Sequence, residues 1–319
     1  MNIVYNGEND ARLGKAVMGE TIISILENDP KVVYLDSDLM SCIGTVKYAA
    51  AHPDRAIECG ISEANMIGVG CGMAAEGYKP ICHSFGIFAS RRCFDQLFLS
   101  AGYAKNDITV LGTDPGVTAA MNGGTHMPFE DVALYRTIPT ATVLEPADPN
   151  SFISLMKQCP DREGVKYIRF GRKNYAKIYE DGTELEIGKA VVLREGTDCA
   201  IVACGIMVNE ALKAAATLAG EGISCAVIDS YTIKPLDAET VLAYAKKCGA
   251  MVVAENANRH GGLYSAVLEV VAENAPIPCG CVAVEDEFGE VGPQDYLEER
   301  FDLTAAHIVR EVEATLKRK

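Results

Sequence analysis

The stretch Glu58–Pro80, ECGISEANMIGVGCGMAAEGYKP, is the part of the sequence that constrains the fold most strongly. It carries an acid, Glu63, at the start of a predicted helix, and no further charged side chain between Glu63 and Glu76. Nearly all the residues between them are small or apolar, which predicts a helix buried on almost every side. Three glycines at every second position each cost about 1 kcal/mol of helix propensity relative to alanine. They predict that another backbone packs very close to this helix.

A lone acid at the head of an apolar helix needs an explanation. Burial removes water from a carboxylate and favours its neutral form, so a protonated Glu63 would be able to donate a hydrogen bond to a ring nitrogen. The alternative is that Glu63 caps the helix after Ser62 or faces solvent in the first turn. The glycine spacing fits neither the dinucleotide fingerprint nor the P-loop, so a nucleotide-binding loop is not expected.

Composition and charge restrict the possible functions. The 319 residues are 49% hydrophobic and 23% charged, the balance of a globular protein long enough for two domains. With 44 acidic against 29 basic residues the net charge is -15, which argues against a nucleic-acid or anionic-membrane surface. A small anionic substrate stays possible, because it needs only a few local positive groups.

The cysteines and the N-terminus predict a cytoplasmic location. The 12 cysteines are spread along the chain without a Cys-x-x-Cys pair, which favours reduced structural cysteines over disulfides or a zinc site. The first residues, MNIVYNGENDARLGKAV, have no basic and apolar segments typical of an export signal. No apolar run approaches the 18 or so residues of a membrane span.

The organisation of the chain is that of an α/β protein. Short apolar runs alternate with amphipathic segments, which predicts two domains, each a mostly parallel β-sheet flanked by helices. A helix is predicted in RCFDQLFLSAGYAKN, residues 92–106, and a polar interdomain linker at 175–190. The predicted domains are 1–180 and 190–319. The predicted strands lie at 31–38, 107–114, 140–148, 165–174, 198–205, 223–235 and 250–256.

Two further stretches contain candidate binding residues. In HSFGIFASRRCFDQ, Phe85 and Phe88 precede Arg91 and Arg92, which suits either a hydrophobic core or an aromatic wall against a flat ring with a guanidinium nearby. The loop at 112–128 is rich in turn residues and long enough to be functional. It contains His126, which is either available for substrate contact and proton transfer or a bystander.

Two arginines are candidates for binding a phosphate. Arg12 lies near the start of the chain, and Arg172 follows a predicted strand in RFGRKN. A guanidinium suits bidentate phosphate recognition, although a surface position is the ordinary one for arginine.

In their order along the chain, these stretches resemble the C-terminal half of the transketolase family of thiamine diphosphate enzymes. The matching run from Ile57 to Pro149 includes GISEANMIGVGCGMAAEGYKP, SFGIFASRRCFDQ, GGTHMPFEDVALYRTIP and EPADP. Farther along, CAIVACGIMVNEAL, DSYTIKPLD, AENANRHGGLYSAV and DEFGEVGPQDYLEERFDLTAAHIV resemble the C-terminal domain of that family. The resemblance covers essentially the whole chain. It implies a pyrimidine-binding domain at 1–180 and a transketolase C-terminal domain at 190–319.

The resemblance implies roles for the cofactor-side residues. In this family the acid at the position of Glu63 hydrogen-bonds N1′ of the aminopyrimidine of thiamine diphosphate, and so favours the imino tautomer that removes the thiazolium C2 proton. Phe85 and Phe88 match the aromatics around the pyrimidine ring, and Asp38 matches an acid near the cofactor. Arg91 falls where plain transketolases often carry another aromatic; deoxyxylulose-phosphate synthases also tend to have arginine in this region.

The resemblance also implies substrate-side residues and two departures. His126 matches a catalytic histidine that contacts the donor substrate. Asn122 replaces an acid that helps to select donor hydroxyl stereochemistry, and Asp114 stands where typical transketolases have a substrate-binding histidine. Both changes bear on whether the usual pentose phosphate is the donor. By the same alignment the sugar-phosphate-binding residues are Arg12 and Arg172, with Cys42 or Ser41 beside them.

A domain typical of full-length transketolases has no counterpart in this sequence. Their N-terminal domain binds the diphosphate and its metal through a Gly-Asp-Gly…Asn motif, and EDG at 180–182 has no such continuation. The resemblance therefore implies a separate N-terminal subunit, an α2β2 assembly, and a cofactor shared between subunits. Mg²⁺ or Ca²⁺ is then held by the partner, and no metal ligand is assigned to this chain.

The expected activity is transfer of a two-carbon ketol unit from a ketose to an aldose, both expected to be phosphorylated. Apiose-derived, sulfonated and ordinary pentose phosphates all remain open as substrates. Three alternatives stay open as well. They are a β-subunit of a 2-oxo-acid dehydrogenase, a deoxyxylulose-phosphate-synthase-like enzyme, and a non-catalytic subunit that kept the fold.

Overall fold

The computed structural model describes residues 2–319, which form two β-sheets with helices packed against them. Strands and helices are numbered in chain order. The strands are β1 (Val32–Asp36), β2 (Ala56–Glu58), β3 (Lys79–Phe85), β4 (Ile108–Thr113), β5 (Thr142–Leu144), β6 (Val165–Phe170), β7 (Val191–Arg194), β8 (Cys199–Ala203), β9 (Cys225–Asp229), β10 (Thr232–Lys234), β11 (Met251–Asn258) and β12 (Cys279–Val284). The α-helices are α1 (Gly14–Asn28), α2 (Met40–Ile43), α3 (Val46–Ala51), α4 (Glu63–Ala75), α5 (Phe94–Gln96), α6 (Asp131–Thr137), α7 (Pro149–Gln158), α8 (Met207–Gly220), α9 (Ala238–Cys248), α10 (Leu263–Asn274), α11 (Gln294–Arg300) and α12 (Ala305–Leu316).

The sheets confirm the predicted α/β fold with mostly parallel strands. The first sheet has seven strands in the order β10-β5-β6-β4-β3-β1-β2, and the second has five in the order β12-β11-β8-β9-β7. Among the strands of residues 2–319, only β10 with β5 and β7 with β9 pair antiparallel. Because β1, β3, β4 and β6 run parallel as neighbours, their carboxyl ends meet at one edge of the first sheet. In open α/β sheets that edge is the ordinary place for a ligand.

The predicted helix at 92–106 is helical, but its geometry differs from an α-helix. After a short 3₁₀ turn and α5, the backbone of Leu97–Tyr103 follows a π-helix. Leu97 and Ala101 are buried as the periodicity predicts, whereas Phe98 is partly exposed. The wider π turn changes the direction in which successive side chains point, so the simple 3.6-residue pattern fails here.

The segment at 175–190 connects the two sheets, but it is packed rather than loose. Ile178 and Tyr179 are fully buried, and the backbone of this segment pairs with the N-terminal residues through isolated bridges. The Tyr179 hydroxyl donates a 2.7 Å hydrogen bond to Asp229 at the end of β9. The apolar residues interspersed in the polar sequence explain this packing, because they have core surface to cover.

Helix α4 is buried on one face only, so the prediction that it is buried on almost every side was wrong. Its buried face includes Met66, Ile67 and Gly70, while Asn65, Gly68, Val69 and Gly72 lie exposed on the other. A Cβ added to Gly70 would lie 2.9 Å from the sulfur of Cys82, whereas one added to Gly68 or Gly72 meets no atom within 4 Å. The predicted close neighbour is therefore present at one glycine only, and it is a side chain rather than a backbone.

A buried charged cluster joins the two sheets. The Arg169 guanidinium on β6 donates to Asp131 at 2.8 Å and to the backbone oxygen of Asn256 on β11 at 2.8 Å. Glu145, just after β5, lies 3.7 Å from Nε of the same arginine. All four residues are buried. The guanidinium thus contacts a carboxyl group at the start of α6 and lies near another just after β5. Because it also bonds β11 of the second sheet, this cluster fixes the sheets relative to each other.

No helix within residues 2–319 combines the length and the apolar character required to cross a bilayer.

Candidate functional site

Glu63 is the first residue of α4, and its carboxyl group lies beside Ser84, near the carboxyl end of β3. Its side chain is 1% exposed, and its carboxylate accepts hydrogen bonds of 2.8 and 2.9 Å from Nη1 of Arg92. The Ser84 hydroxyl on β3 lies 3.4 Å from the same carboxylate. A carboxylate at a helix N-terminus is stabilised by the helix dipole, and here a guanidinium adds a full positive charge. The expectation of a purely apolar setting is therefore corrected, because Arg92 lies against the acid.

Two aromatic rings and a histidine lie together at the edge of the first sheet. The ring centroids of Phe85 and Phe88 are 6.4 Å apart, and the His126 ring meets them edge-on at 5.9 and 5.1 Å. Phe85 ends β3, Phe88 follows in the next turn, and His126 comes from the loop after β4. Phe88 and His126 are half-buried, so the rings present an aromatic surface that a flat ring can contact.

The two adjacent arginines have different partners. Arg92 pairs with Glu63 and places its guanidinium carbon 3.9 Å above the centre of the Phe88 ring. Arg91 points away from this group and pairs with Glu130 at 2.9 Å, with much of its side chain in solvent. The sequence offers both arginines as candidates, and the resemblance assigns the cofactor side to Arg91, whereas in the structure Arg92 lies against the acid. Only the backbone turn at 91–93 decides which of the two faces the acid, and no local pattern in the sequence encodes that choice.

A second group of predicted residues lies beside the aromatic rings. The Arg172 guanidinium pairs with Asp114 through Nε at 2.7 Å and through Nη2, and its carbon lies 4.9 Å from the centre of the Phe85 ring. The Cys42 thiol, in α2, lies close enough to the same guanidinium to interact with it electrostatically. The structure thus brings Asp114, Arg172 and Cys42 together next to Phe85.

Three predicted residues form no hydrogen bond or ion pair with these groups within the described chain. Arg12 pairs with Asp10 and with Asn150, and no hydrogen bond or ion pair within residues 2–319 joins it to Arg172. Asp38 is exposed, with its backbone N–H donating to Glu58 at 2.7 Å. Asn122 is exposed in the loop that leads to His126. A cofactor or substrate role for these three residues stays a prediction.

A buried polar network beneath the site was not predicted from the sequence. His83 Nδ1 lies 2.6 Å from the carboxylate of Asp36, and Tyr34 donates its hydroxyl proton to the same oxygen. The Nε2 atom of His83 lies 3.3 Å from the hydroxyl of Thr113. These residues end or line β1, β3 and β4, and all are buried. The one available signal was a histidine in a partly apolar segment. It does not indicate a polar network until the acid that faces it is known.

Comparison with known proteins places the chain in a family. Residues 14–177 match the pyrimidine-binding domain of transketolase, and residues 188–308 match the transketolase C-terminal domain. The chain is 47% identical to the 6-deoxy-6-sulfo-D-fructose transketolase subunit of Clostridium sp. (strain MSTE9), over 94% of this chain and 93% of that protein. It is 31% identical to an apulose-4-phosphate transketolase subunit of Phocaeicola vulgatus, over 84% of this chain and 86% of that protein.

A solved structure supports the same assignment. A split-gene transketolase, described as an inactive β4 tetramer, superposes with a TM-score of 0.88 at 35% identity, over 97% of this chain and 100% of that one. The two matched domains together span most of the chain, and the relatives match nearly end to end. The chain therefore belongs to the transketolase family and contains its pyrimidine-binding and C-terminal domains.

Proposed function

We propose that this chain is the C-terminal subunit of a split transketolase, which moves a two-carbon ketol unit from a ketose to an aldose with thiamine diphosphate. The observation that carries the proposal is the buried acid Glu63 at the start of α4, close to the ring group of Phe85, Phe88 and His126. The two relatives named as transketolase subunits support the same reaction class.

The residues at this site fit the aminopyrimidine half of the cofactor. Phe85 and Phe88 offer ring faces for stacking, and Glu63 offers a carboxyl group able to hydrogen-bond a ring nitrogen. Thiamine diphosphate, when bound, supplies the electron sink for breaking and forming the carbon–carbon bond. The chain's own part is to hold and orient the ring, and to hold one proton at a fixed place.

The role proposed for Glu63 is to carry that proton on one carboxyl oxygen and donate it in a hydrogen bond to the pyrimidine ring nitrogen. In the described chain the carboxylate instead accepts two hydrogen bonds from Arg92. Arg92 is 44% exposed and makes its other contact with the face of Phe88, so it reaches solvent by a side-chain rotation. The proposal requires Arg92 to release Glu63 when the ring binds.

His126 is the proposed substrate-side catalytic residue. Its ring lies edge-on to both phenylalanines, and its Nδ1 is 3.0 Å from the hydroxyl of Thr125. This contact occupies one ring nitrogen and leaves the other available to a substrate hydroxyl or carbonyl. A histidine at this place is suited to orient the ketose and to pass a proton to or from its oxygen atoms.

A separate N-terminal subunit is part of the proposal. The family match of this chain comprises the pyrimidine-binding and C-terminal domains, and two relatives, matched over 93% and 86% of their own length, are named as subunits. We assign the diphosphate and its Mg²⁺ or Ca²⁺ to the partner, with the cofactor between the subunits in an α2β2 assembly. Exposed residues on α4, including Gly68 and Gly72, leave room for another chain to approach the site closely.

The first test is the substitution Glu63→Gln, which keeps the shape of the side chain and removes its acidic proton, because the amide can donate a hydrogen bond but cannot transfer the proton to the ring nitrogen. We expect turnover of the mixed subunits to fall at least about a hundredfold, the lower end of the range for loss of a general acid–base group. Glu76→Gln is the matched control, because Glu76 is exposed at the other end of the same helix. Circular dichroism of the free subunit establishes that both variants are folded, and near-normal turnover of Glu63→Gln would contradict the assigned role.

The second test is calorimetric titration of thiamine diphosphate with Mg²⁺ into this chain alone and into its mixture with the N-terminal subunit. We expect binding only in the mixture. Tight binding by the chain alone would contradict the shared site, and no binding in either case would leave a non-catalytic subunit as the better description.

A further inference from the structure

The pair formed by Asp114 and Arg172 bears on the charge of the substrate. Arg172 donates to one Asp114 oxygen from Nε at 2.7 Å and also from Nη2, and its backbone N–H donates to the other oxygen at 3.2 Å. Three donors thus hold one buried carboxylate. The arginine is partly exposed, so a ligand can reach the pair from its side.

The pair has a fixed backbone. Asp114 follows β4 directly with a φ of 57°, in the left-handed region that aspartate and asparagine tolerate better than most other residues. Its backbone N–H donates to the carbonyl of Phe170 at the end of β6 at 3.2 Å. The backbone therefore holds the Asp114 carboxylate beside Arg172. A ligand that approaches the guanidinium also meets the negative charge of Asp114.

The position of the pair is next to the proposed cofactor ring and not on it. The Arg172 guanidinium lies 4.9 Å from the Phe85 ring, and Phe85 in turn lies 5.9 Å from His126. A ketose whose reacting carbonyl lies near His126 has its far end within reach of this pair. We call that far carbon, opposite the ketol end, the distal end of the donor.

The charge that Asp114 and Arg172 of this chain together bring to the distal end is close to zero. Within residues 2–319, Asp114 has no cationic partner besides Arg172, and Arg172 forms no other ion pair. The second arginine expected to bind phosphate, Arg12, is bound to Asp10 and lies 3.7 Å from Asp181. A phosphate dianion at the distal end would therefore meet one positive and one negative side chain, and like charges at short range cost several kcal/mol.

We infer that the donor is a ketose whose distal group carries at most one negative charge, such as a hydroxyl or a sulfonate, and that Asp114 discriminates against a phosphate dianion. A hydroxyl accepts a hydrogen bond from Arg172 and donates one to Asp114, and a sulfonate offers Arg172 one charge to share. The inference rests on the proposed function. It replaces the expectation of a phosphorylated donor with a donor whose distal group is uncharged or singly charged.

The test compares three hexuloses that differ only at C6, namely D-fructose, 6-deoxy-6-sulfo-D-fructose and D-fructose 6-phosphate. Each is added to the mixed subunits turning over hydroxypyruvate, a short ketol donor with no distal end, with a common aldose acceptor. The apparent affinity of each hexulose follows from its competition with hydroxypyruvate. We expect the better of the two low-charge sugars to compete at least about tenfold more tightly than the phosphate, a difference of about 1.4 kcal/mol.

The variant Asp114→Asn removes the carboxylate charge and suits the same backbone conformation. We expect it to shift the ratio of affinities at least about tenfold towards the phosphate. Asp10→Asn is the matched control, because Asp10 is also a buried aspartate that pairs with an arginine, here through both carboxyl oxygens. It is expected to leave the ratio unchanged, and because the readout is a ratio it does not depend on the fraction of folded enzyme.

The outcomes separate the two proposals. No turnover of hydroxypyruvate by the mixed subunits would overturn the proposed function itself. Turnover of hydroxypyruvate with a preference for the phosphate in the unmodified enzyme, a ratio that Asp114→Asn leaves unchanged, or no competition by any hexulose would overturn the inference alone. A shift caused by Asp10→Asn and not by Asp114→Asn would transfer the selection of charge to Arg12.

Discussion

Asp229, at the end of β9, gives a prediction about the pH dependence of stability. Its side chain is fully buried, one carboxyl oxygen accepts from Tyr179, and the other has no hydrogen-bond partner within the described chain. Burial is the main cause that raises the pKa of Asp229 from 3.8 to about 8, with a smaller upward effect from Asp148 and Glu145. The Tyr179 hydroxyl opposes this shift.

The sign follows from the protons bound in each state. Between pH 4 and pH 8 the folded state holds a proton on Asp229 that the unfolded state has lost, so unfolding releases a proton. The stabilising contribution of this group is complete below the unfolded pKa and is lost as the pH rises through the folded pKa of about 8. The contribution of Asp229 to the free energy of unfolding is therefore expected to fall by about 1.4 kcal/mol per pH unit, or about 3 kcal/mol from pH 5 to pH 7.

The perturbation is Asp229→Asn, which keeps the shape and cannot ionise. Urea unfolding of the isolated chain at pH 5, 6 and 7, followed by circular dichroism, gives the free energy of unfolding for both proteins. The variant is expected to gain about 3 kcal/mol relative to the unmodified chain across that range. Asp54→Asn, an exposed aspartate, makes the same change in charge and is expected to give a constant difference. A constant difference for Asp229→Asn as well would refute the reasoning, because it would show that Asp229 is ionised in the fold at pH 5.

Two further predictions concern packing and charge, and both are measured by urea unfolding of the isolated chain. Gly70→Ala is expected to destabilise by about 1–3 kcal/mol, because its new methyl group meets a cysteine sulfur at 2.9 Å, whereas Gly72→Ala, with no neighbour within 4 Å, should stabilise by up to about 1 kcal/mol. The reverse order would contradict the contacts described for α4. Arg169→Met is expected to cost about 3–5 kcal/mol, because it leaves Asp131 and Glu145 buried without a cation. A loss below about 1 kcal/mol would mean that the cluster does not hold the two sheets together.

The strands that the sequence predicted are those with continuous apolar runs, such as β4, β8 and β11, because buried parallel strands exclude water from both faces. Strand β3, KPICHSF, was not predicted as a strand, since it reads as half polar. It is nevertheless buried over most of its length, because His83 pairs with Asp36 on a neighbouring strand. A single sequence carries no information on which acid will face which histidine, so such a strand can only be recognised after the fold is known.

The proximity of candidate residues could be predicted where the sequence orders them along one element. Phe85 and Phe88 lie at the end of one strand and in the turn after it, and they lie together in the structure. Which of the two adjacent arginines pairs with Glu63 could not be predicted, because the backbone turn places Arg92, and not Arg91, beside the acid. The pairing of Arg172 with Asp114 was also unforeseen, because it joins two residues that are far apart in the chain.

Strand β10 belongs by sequence to the second half of the chain, yet it pairs with β5 at the end of the first sheet. The Lys234 ammonium strengthens this attachment by donating to the carbonyls of Arg136 and Ile138 at 2.8 and 2.6 Å. During synthesis the other strands of the first sheet have all left the ribosome well before residue 234 emerges. Until then β5 exposes an unpaired edge, which is a template for joining another chain. A fragment cut at residue 180 would keep that edge permanently, so we expect it to aggregate even though six of its seven strands are present.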